Sequence, residues 1–481
     1  MSFPSAPQAE GHAASLAENN LARVAQIDRS LRSPVVLLTV LAALWLVLGS
    51  ALALIASIKL HLPEFLNTET LTYGRVRALQ QVALGYGWSF NAALAVALWM
   101  MHRLGRVELR QGWVAVLGAL GWNAALAYGL FAIALGQQTG VDWLEMPREV
   151  GPVLGVSFLL VGLWSVVAFS RRQTSHVYAS QWYILAAMFC LPVLFLGAQV
   201  MLLWFPARGA VQAIASGWYT HGVVALFLAP IAIAALYYVV PKVLARPLRA
   251  YYLAVVGFWT FVLFGGWAGV QSLVGGPIPV WLQSTSVVAA VMTIIPIFIT
   301  AINLHGTLAG GWSRVWRDPV LSFAGFGALC LTLSGLVGAF MSTRSVSVAT
   351  RFTDFTVGHA QHVAHGFIAM ALFAVLYYAL PRLARREWPS AALIRTHFWL
   401  CAPGTVGVVA TLSVHGWIQG AQWNAAVLTP AQIAAASQPW NVAVTAGSLL
   451  MTLGHLVFCG HVLWLLAPRG ERRDDSTQHA R

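Results

Sequence analysis

Three histidines fall within seven residues of one apolar stretch, Gly358-His359-Ala360-Gln361-His362-Val363-Ala364-His365-Gly366. Imidazole is a common metal and cofactor ligand, and an ionisable group at membrane depth is costly enough to carry meaning. At about 100° per residue, His359 and His362 share one face of a helix. Gln361 and His365 share the roughly opposite face, one turn apart. A helix built this way could hold a cofactor on each side, and a polar seam between packed helices would use the same residues. The stretch alone leaves both open.

Other imidazoles lie in or at the ends of apolar runs: His221, His305, His415, His455 and His461. For the last four the expectation is helix packing, each ring hydrogen-bonded to a neighbour. The cysteines, Cys190, Cys330, Cys401 and Cys459, form no CxxC pair. That spacing disfavours a disulfide framework, a zinc cluster and covalent c-type haem attachment. Each is expected as a buried, reduced thiol.

The elements that must position these side chains are helices in lipid. Of 481 residues 59% are hydrophobic and 9% charged, against about 25% charged in a soluble domain. Apolar runs long enough to cross a bilayer recur at 35–58, 79–101, 113–135, 150–170, 181–204, 215–240, 252–273, 281–303, 320–341, 357–380, 396–419 and 441–467. Helices are the expected form, because lipid offers no partner to a free backbone group. The chain divides into a cytoplasmic N-terminal segment 1–34, a membrane domain 35–467 and a disordered cytoplasmic tail 468–481. No cleavable signal sequence is expected, since the first span follows its polar lead without a small-residue cleavage site.

The net charge of +13 does not point to nucleic acid. The basic residues form short clusters in alternate loops: Arg103, Arg106 and Arg110; Arg171 and Arg172; Lys242, Arg246 and Arg249; Arg314 and Arg317; Arg382, Arg385, Arg386 and Arg395. This is the positive-inside pattern, and it puts both termini in the cytoplasm. Trp143, Trp204, Trp281 and Trp440 are candidates for the interface belt. No Asp or Glu falls in the middle of a span, and Asp354 comes nearest. Any proton path would have to use hydroxyls, water and histidine.

Several stretches are more specific than hydropathy. They are Tyr73-Gly74-Arg75-Val76-Arg77-Ala78-Leu79, Gly217-Trp218-Tyr219-Thr220-His221, Tyr237-Tyr238-Val239-Val240-Pro241-Lys242 and Trp267-Ala268-Gly269. Phe352-Thr353-Asp354-Phe355-Thr356-Val357-Gly358-His359, Tyr377-Tyr378-Ala379-Leu380-Pro381 and Trp417-Ile418-Gln419-Gly420 complete the set. Span for span, the chain resembles the catalytic subunit I of haem-copper oxidases, above all the cbb3-type cytochrome c oxidases. The resemblance implies an all-α polytopic membrane protein with the twelve-helix subunit I bundle, in a bacterial inner membrane. It implies oxygen reduction with electrons from cytochrome c, beside other oxidase-type subunits or a membrane-anchored cytochrome c.

The family's chemistry uses six histidines, and the resemblance carries them over unevenly. The high-spin haem position is kept as His359 and the sixth-span copper position as His221. The second-span axial position of the low-spin haem is Gln80, and its tenth-span partner is Gln361. The adjacent copper pair of the seventh span is Gln271 and Ser272, and the family's tyrosine there is Gly265. A low-spin haem, copper and ordinary oxidase turnover are therefore not expected. At most one b-type haem is, five-coordinate on His359; His365, one turn from Gln361, would meet a haem displaced by about 6 Å. A metal site of His221, His359 and His362 is a looser alternative.

Arg344, Arg351 and Asp354 fall where the family keeps its haem propionates, with Arg75 and Arg77 at a similar level; interfacial anchoring would also place arginines there. Nitric oxide reduction, the sister activity, is disfavoured by the absence of a mid-span carboxylate. The alternative to a haem-binding subunit is a non-catalytic structural or assembly partner of a membrane redox complex.

Overall fold

The computed structural model describes residues 6–468, with side chains from residue 18 onward. The tail expected over 468–481 lies outside the described residues except for Pro468. Every run long enough to cross a membrane is a helix: α1 Ala6–Lys59, α2 Tyr73–Gly105, α3 Gly112–Ala134, α4 Val150–Ser170, α5 Ala179–Trp204, α6 Ala210–Leu244, α7 Leu253–Leu273, α8 Val280–Leu308, α9 Pro319–Met341, α10 Asp354–Ala384, α11 Ala391–Ala425 and α12 Gln438–Leu466. Short helical turns at Trp312–Arg317, Arg344–Thr350 and Pro430–Ala436 join some of them.

The boundary expected at residue 34 does not coincide with a helix end. α1 begins at Ala6 and runs on through the segment read as a separate N-terminal piece. Hydropathy marks where lipid-compatible sequence starts, whereas this polar lead is rich in Ala, Leu, Glu and Arg and keeps helical propensity. The lead is also tied down. Asp28 pairs with Arg103 of α2 at 3.0 Å and accepts from the Trp99 indole at 3.1 Å. Trp99 meets Tyr238 of α6 edge-on, and Tyr238 meets Tyr378 of α10. Residues of α1, α2, α6 and α10 thus lock together near the arginine-rich face.

α2, α6 and α10 form the centre. Their most apolar windows are 89%, 89% and 78% buried, against 33% for α7. The remaining helices ring them and expose large apolar side chains such as Phe131, Phe189 and Trp259, as lipid-facing helices do. Small residues let helices close up: a Cβ on Gly404 of α11 would lie 2.9 Å from the Gly447 carbonyl of α12.

Two features depart from regular α-helix. α2, α5, α6 and α10 each contain a π segment, at Ala83–Phe90, Gln199–Trp204, Val223–Leu228 and His362–Ala369. Such segments concentrate at functional sites, and the last holds two of the three clustered histidines. The seventh span, expected as continuous over 252–273, is broken. Its α-helix stops at Trp267, Ala268 is extended, and Gly269 takes φ +117°, which favours glycine. A Cβ there would also lie 2.9 Å from that of His221, so only glycine lets the break press against α6.

Of the tryptophans expected at the interface, Trp204 and Trp281 are exposed. Trp143 instead packs on Tyr86 of α2, and Trp440 stacks on His415. Beside Trp143, the loop carboxylate Glu145 is 8% exposed. Its Oε1 accepts from the Trp143 backbone N–H at 3.1 Å, and its Oε2 has no partner among the described residues.

Burial pushes the Glu145 acid up to about 7, from 4.5. The folded state thus holds the Glu145 proton more tightly than the unfolded chain. Stability is unaffected by this group below about pH 4.5 and falls as pH rises through 7, by at most about 3 kcal/mol. A melting temperature that declines from pH 5 to 8 in the native protein, and less so in Glu145→Gln, is the expected result.

Candidate functional site

The residues singled out by type and spacing separate into two places. The first is a cavity of about 440 Å³ between α1, α2, α10, α11 and α12, within the range of small-molecule sites. α2 contributes Arg77 and Gln80 to its wall, and α10 contributes Asp354, Gln361 and His365. Ser50 and Ser57 of α1, Leu412 and Gln419 of α11, and Ser448, Thr452 and His455 of α12 complete much of the rest. Gln361 and His365 share this wall, as the helical spacing predicted. The π segment begins between them at His362.

Asp354 lies at the N-terminus of α10, whose first turn is capped by the Thr353 hydroxyl. Its Oδ2 is 2.7 Å from His415 Nδ1. Arg77 is the guanidinium on the cavity wall. Arg344 and Arg351, expected beside an anionic group, make other hydrogen bonds here. Arg344 is exposed and donates to Ser284 Oγ at 2.8 Å. Arg351 donates to the carbonyls of Gln271 and Val274 and so pins the turn that ends α7. Free carbonyls at a helix break attract a guanidinium, and Arg351 is not among the residues that line the cavity.

The second place is where α6 meets the break in α7. Gln271 accepts from the Gly269 N–H and, at 2.9 Å, from Ser286 Oγ of α8. Ser272 donates to the Gly269 carbonyl at 3.0 Å. Both side chains are consumed in closing the turn. His221 Nε2 is 3.2 Å from the Gly265 carbonyl. His359 packs against α9, where a Cβ on Gly338 would lie 3.1 Å from its Cε1 and 3.2 Å from its Nε2. The room that this glycine leaves is taken by the imidazole itself. His362 also turns to α9: a Cβ on Gly366 would lie 3.0 Å from both His362 Cδ2 and Cys330 Sγ.

These donors can be tested against metals and haem. Among the described residues, no three His, Cys, Asp or Glu side chains converge to hold a metal ion, so the site imagined from His221, His359 and His362 is not assembled. The donors near His221, an amide and a hydroxyl already engaged, do not fit copper. At the two positions where the resemblance puts axial imidazoles the cavity presents the amides of Gln80 and Gln361, which do not fit haem iron, although His365 of α10 and His455 of α12 also reach its wall. His359 remains a single imidazole whose Nδ1 is buried without a partner among the described residues. A metal-bound histidine almost always has its second nitrogen oriented by a hydrogen bond, and none is supplied here.

Of the histidines expected to pack, His305 bonds Thr332 Oγ1 at 2.9 Å, His415 bonds Asp354, His455 bonds Ser50 Oγ at 2.6 Å, and His461 Nε2 accepts from the Ser390 N–H at 3.4 Å. Sequence reasoning overlooked His397 of α11, which is fully buried and bonded through Nδ1 to Tyr377 OH at 2.9 Å. It also overlooked Ser50. Ser50 stands alone in an apolar run and His397 at the polar edge of one, and their partners lie elsewhere in the sequence.

The bundle defines the class of protein first. A cryo-EM structure of a heme-copper terminal oxidase dimer superimposes with a TM-score of 0.75 over 92% of this chain and 85% of that one, at 14% identity, a likeness that shows the fold. The sequence then defines the family. Residues 33–450 match cytochrome c and quinol oxidase polypeptide I, and the chain belongs to that family. Its relatives include the Cbb3-type cytochrome c oxidase subunit CcoN1 of Stutzerimonas stutzeri, 27% identical over 80% of this chain and 83% of that one. Cytochrome c oxidase subunit 1 of Rhodobacter capsulatus is 28% identical over 87% and 82% respectively. The chain is a haem-copper oxidase subunit I of cbb3-type affinity.

Proposed function

We propose that this chain is a divergent cbb3-type subunit I homologue that does not itself reduce oxygen. It holds at most one b-type haem, on His359, and serves a membrane redox complex as a structural or assembly partner. Oxidase-type subunits or a membrane-anchored cytochrome c are the partners that fit, in a bacterial inner membrane with both termini cytoplasmic.

The observation that carries the reading is the pair Gln80 and Gln361, which line one cavity from α2 and α10 where the resemblance calls for axial imidazoles. An amide is a poor ligand for haem iron, so electrons have no low-spin centre through which to enter. The engagement of Gln271 and Ser272 in the α7 turn supports the same reading for copper. The test is oxygen uptake by the purified protein with reduced cytochrome c as donor. No rate above a protein-free control is expected. Turnover in the ordinary enzyme range of about 1–1,000 per second would overturn the proposal.

A further inference from the structure

At the arginine-rich face two tryptophans from separate elements stack in the open. Trp316 lies in the short helix Trp312–Arg317, and Trp399 lies about two turns into α11. Their ring centroids are 6.1 Å apart with planes 18° from parallel, and the residues are 60% and 59% exposed. Beside them Phe398 of α11 packs edge-on against Phe323 and Phe326 of α9. The two indoles thus cap the seam where α9 and α11 close together.

Positive charge gathers around this cap. Arg314 and Arg317 flank Trp316 in its own short helix, and Arg395 sits one turn from Trp399, nearer the start of α11. All three are exposed. None has a hydrogen-bond or ion-pair partner among the described residues, where the arginines paired with a carboxylate are Arg103 and Arg148. The adjacent acid, Asp318, is spent on the start of α9, where its Oδ1 accepts from the Val320 and Leu321 N–H groups at 2.9 and 3.2 Å. Glu387, in the loop ahead of α11, pairs with none of them.

Interfacial anchoring explains single tryptophans and arginines. It does not call for two indoles from different elements held in parallel, with three cations around them and no acid to offset the charge. An anion completes such a set. The surface next to it suits a lipid tail. Toward the membrane centre Trp399 is followed on the same face of α11 by Pro403, Val406 and Ala410, all exposed. From Trp399 to Ala410 is about 17 Å of helix, about half of a hydrocarbon core of about 30 Å. A Cβ on Gly407, at the edge of this stripe, would meet nothing within 4 Å. One acyl chain therefore has an uncrowded track one leaflet deep, with the cations at its outer end.

We propose that this patch binds an anionic glycerophospholipid from the leaflet on the arginine-rich side. Arg314, Arg317 and Arg395 take the phosphate and headgroup, since guanidinium groups match phosphate oxygens. The paired indoles sit at the level of the glycerol esters, where amphipathic rings settle, and the chain lies along α11. The proposal is independent of what the chain does with haem.

The test is native mass spectrometry of the purified full-length chain in a neutral detergent, titrated with palmitoyl-oleoyl phosphatidylglycerol or with the phosphatidylcholine of the same chains. The first phosphatidylglycerol is expected to bind about tenfold tighter than phosphatidylcholine, because each arginine near the headgroup adds a few-fold. In the double variant Arg317→Gln/Arg395→Gln the preference should fall to within twofold. Arg171→Gln, which removes an exposed arginine from the same side after α4, should keep it. All of these side chains are exposed, so packing is left intact. Equal binding of both lipids by the native chain, an undiminished preference in the double variant, or an equal loss in Arg171→Gln overturns the proposal. So does displacement of the lipid by excess inorganic phosphate, which would reveal a site for a small anion and none for a lipid.

Discussion

Replacing Gln80 and Gln361 together by histidine is expected to give a protein that takes up about one b-type haem in the cavity, with a low-spin reduced-minus-oxidised spectrum that the native chain lacks. The two positions lie on opposite helices, α2 and α10, and share one wall-bounded space of about 440 Å³. Neither helix end needs to move to admit an imidazole, which is no longer than the amide it replaces. Arg77 is already on the wall to meet an anionic edge, as guanidinium groups commonly do. Two axial imidazoles make a stable low-spin centre; one does not, so either single variant should bind far less haem. The check is haem per chain in the purified double variant. A folded double variant with no haem would mean that the cavity is not a vestigial haem site, and the ligand-loss reading would fail with it.

The largest expected effect on stability belongs to two glycines of α11, Gly416 and Gly420, spaced one turn apart. A Cβ on Gly416 would lie 1.9 Å from the Phe355 backbone nitrogen, and one on Gly420 would lie 1.8 Å from the Ala349 carbonyl oxygen. Both neighbours are backbone, so no side chain can swing aside. The Gly416 contact holds the start of α10 against α11, and the Gly420 contact holds the Arg344–Thr350 turn there; between them sit the Asp354–His415 pair and the Gln419 Oε1 that accepts from the Asp354 N–H at 2.9 Å. Overpacking a well-packed core costs about 1–3 kcal/mol, and a clash with rigid backbone on both helices belongs at or above the top of that range. Gly416→Val and Gly420→Val are each expected to abolish the monodisperse fraction after detergent extraction. Gly407→Val, with open space around it, should leave it intact. Normal yield from both disruptive variants would show that α11 is not in contact with the start of α10 or with the turn before it.

The twelve spans were legible because each is a long apolar run, and lipid leaves the backbone only one way to satisfy itself. The pairing of Gln361 with His365 was legible for the same reason, since one helical turn separates them. What stayed hidden has a common cause: it depends on backbone departures or on partners far along the chain. The seventh span reads as uniformly apolar through Trp267-Ala268-Gly269, and only the positive φ of Gly269, close against His221, reveals the break. That break redirects Gln271, Ser272 and Arg351 into local hydrogen bonds that no residue count could foresee. Trp143 read as an interface anchor, yet its loop folds it onto Tyr86. The weight given to His359-x-x-His362 drew attention from His397 and His455, whose meaning comes from Tyr377 on α10 and Ser50 on α1 rather than from their own surroundings in the sequence.

The cofactor content of the purified native chain decides most directly whether it is an oxidase. A pyridine haemochrome assay with a reduced-minus-oxidised spectrum, run beside elemental analysis for iron and copper, measures it. At most one b-type haem per chain, high-spin and lost in His359→Ala, with no copper, is the predicted result. Two haems and a copper per chain would contradict the account and restore oxygen reduction as this chain's function.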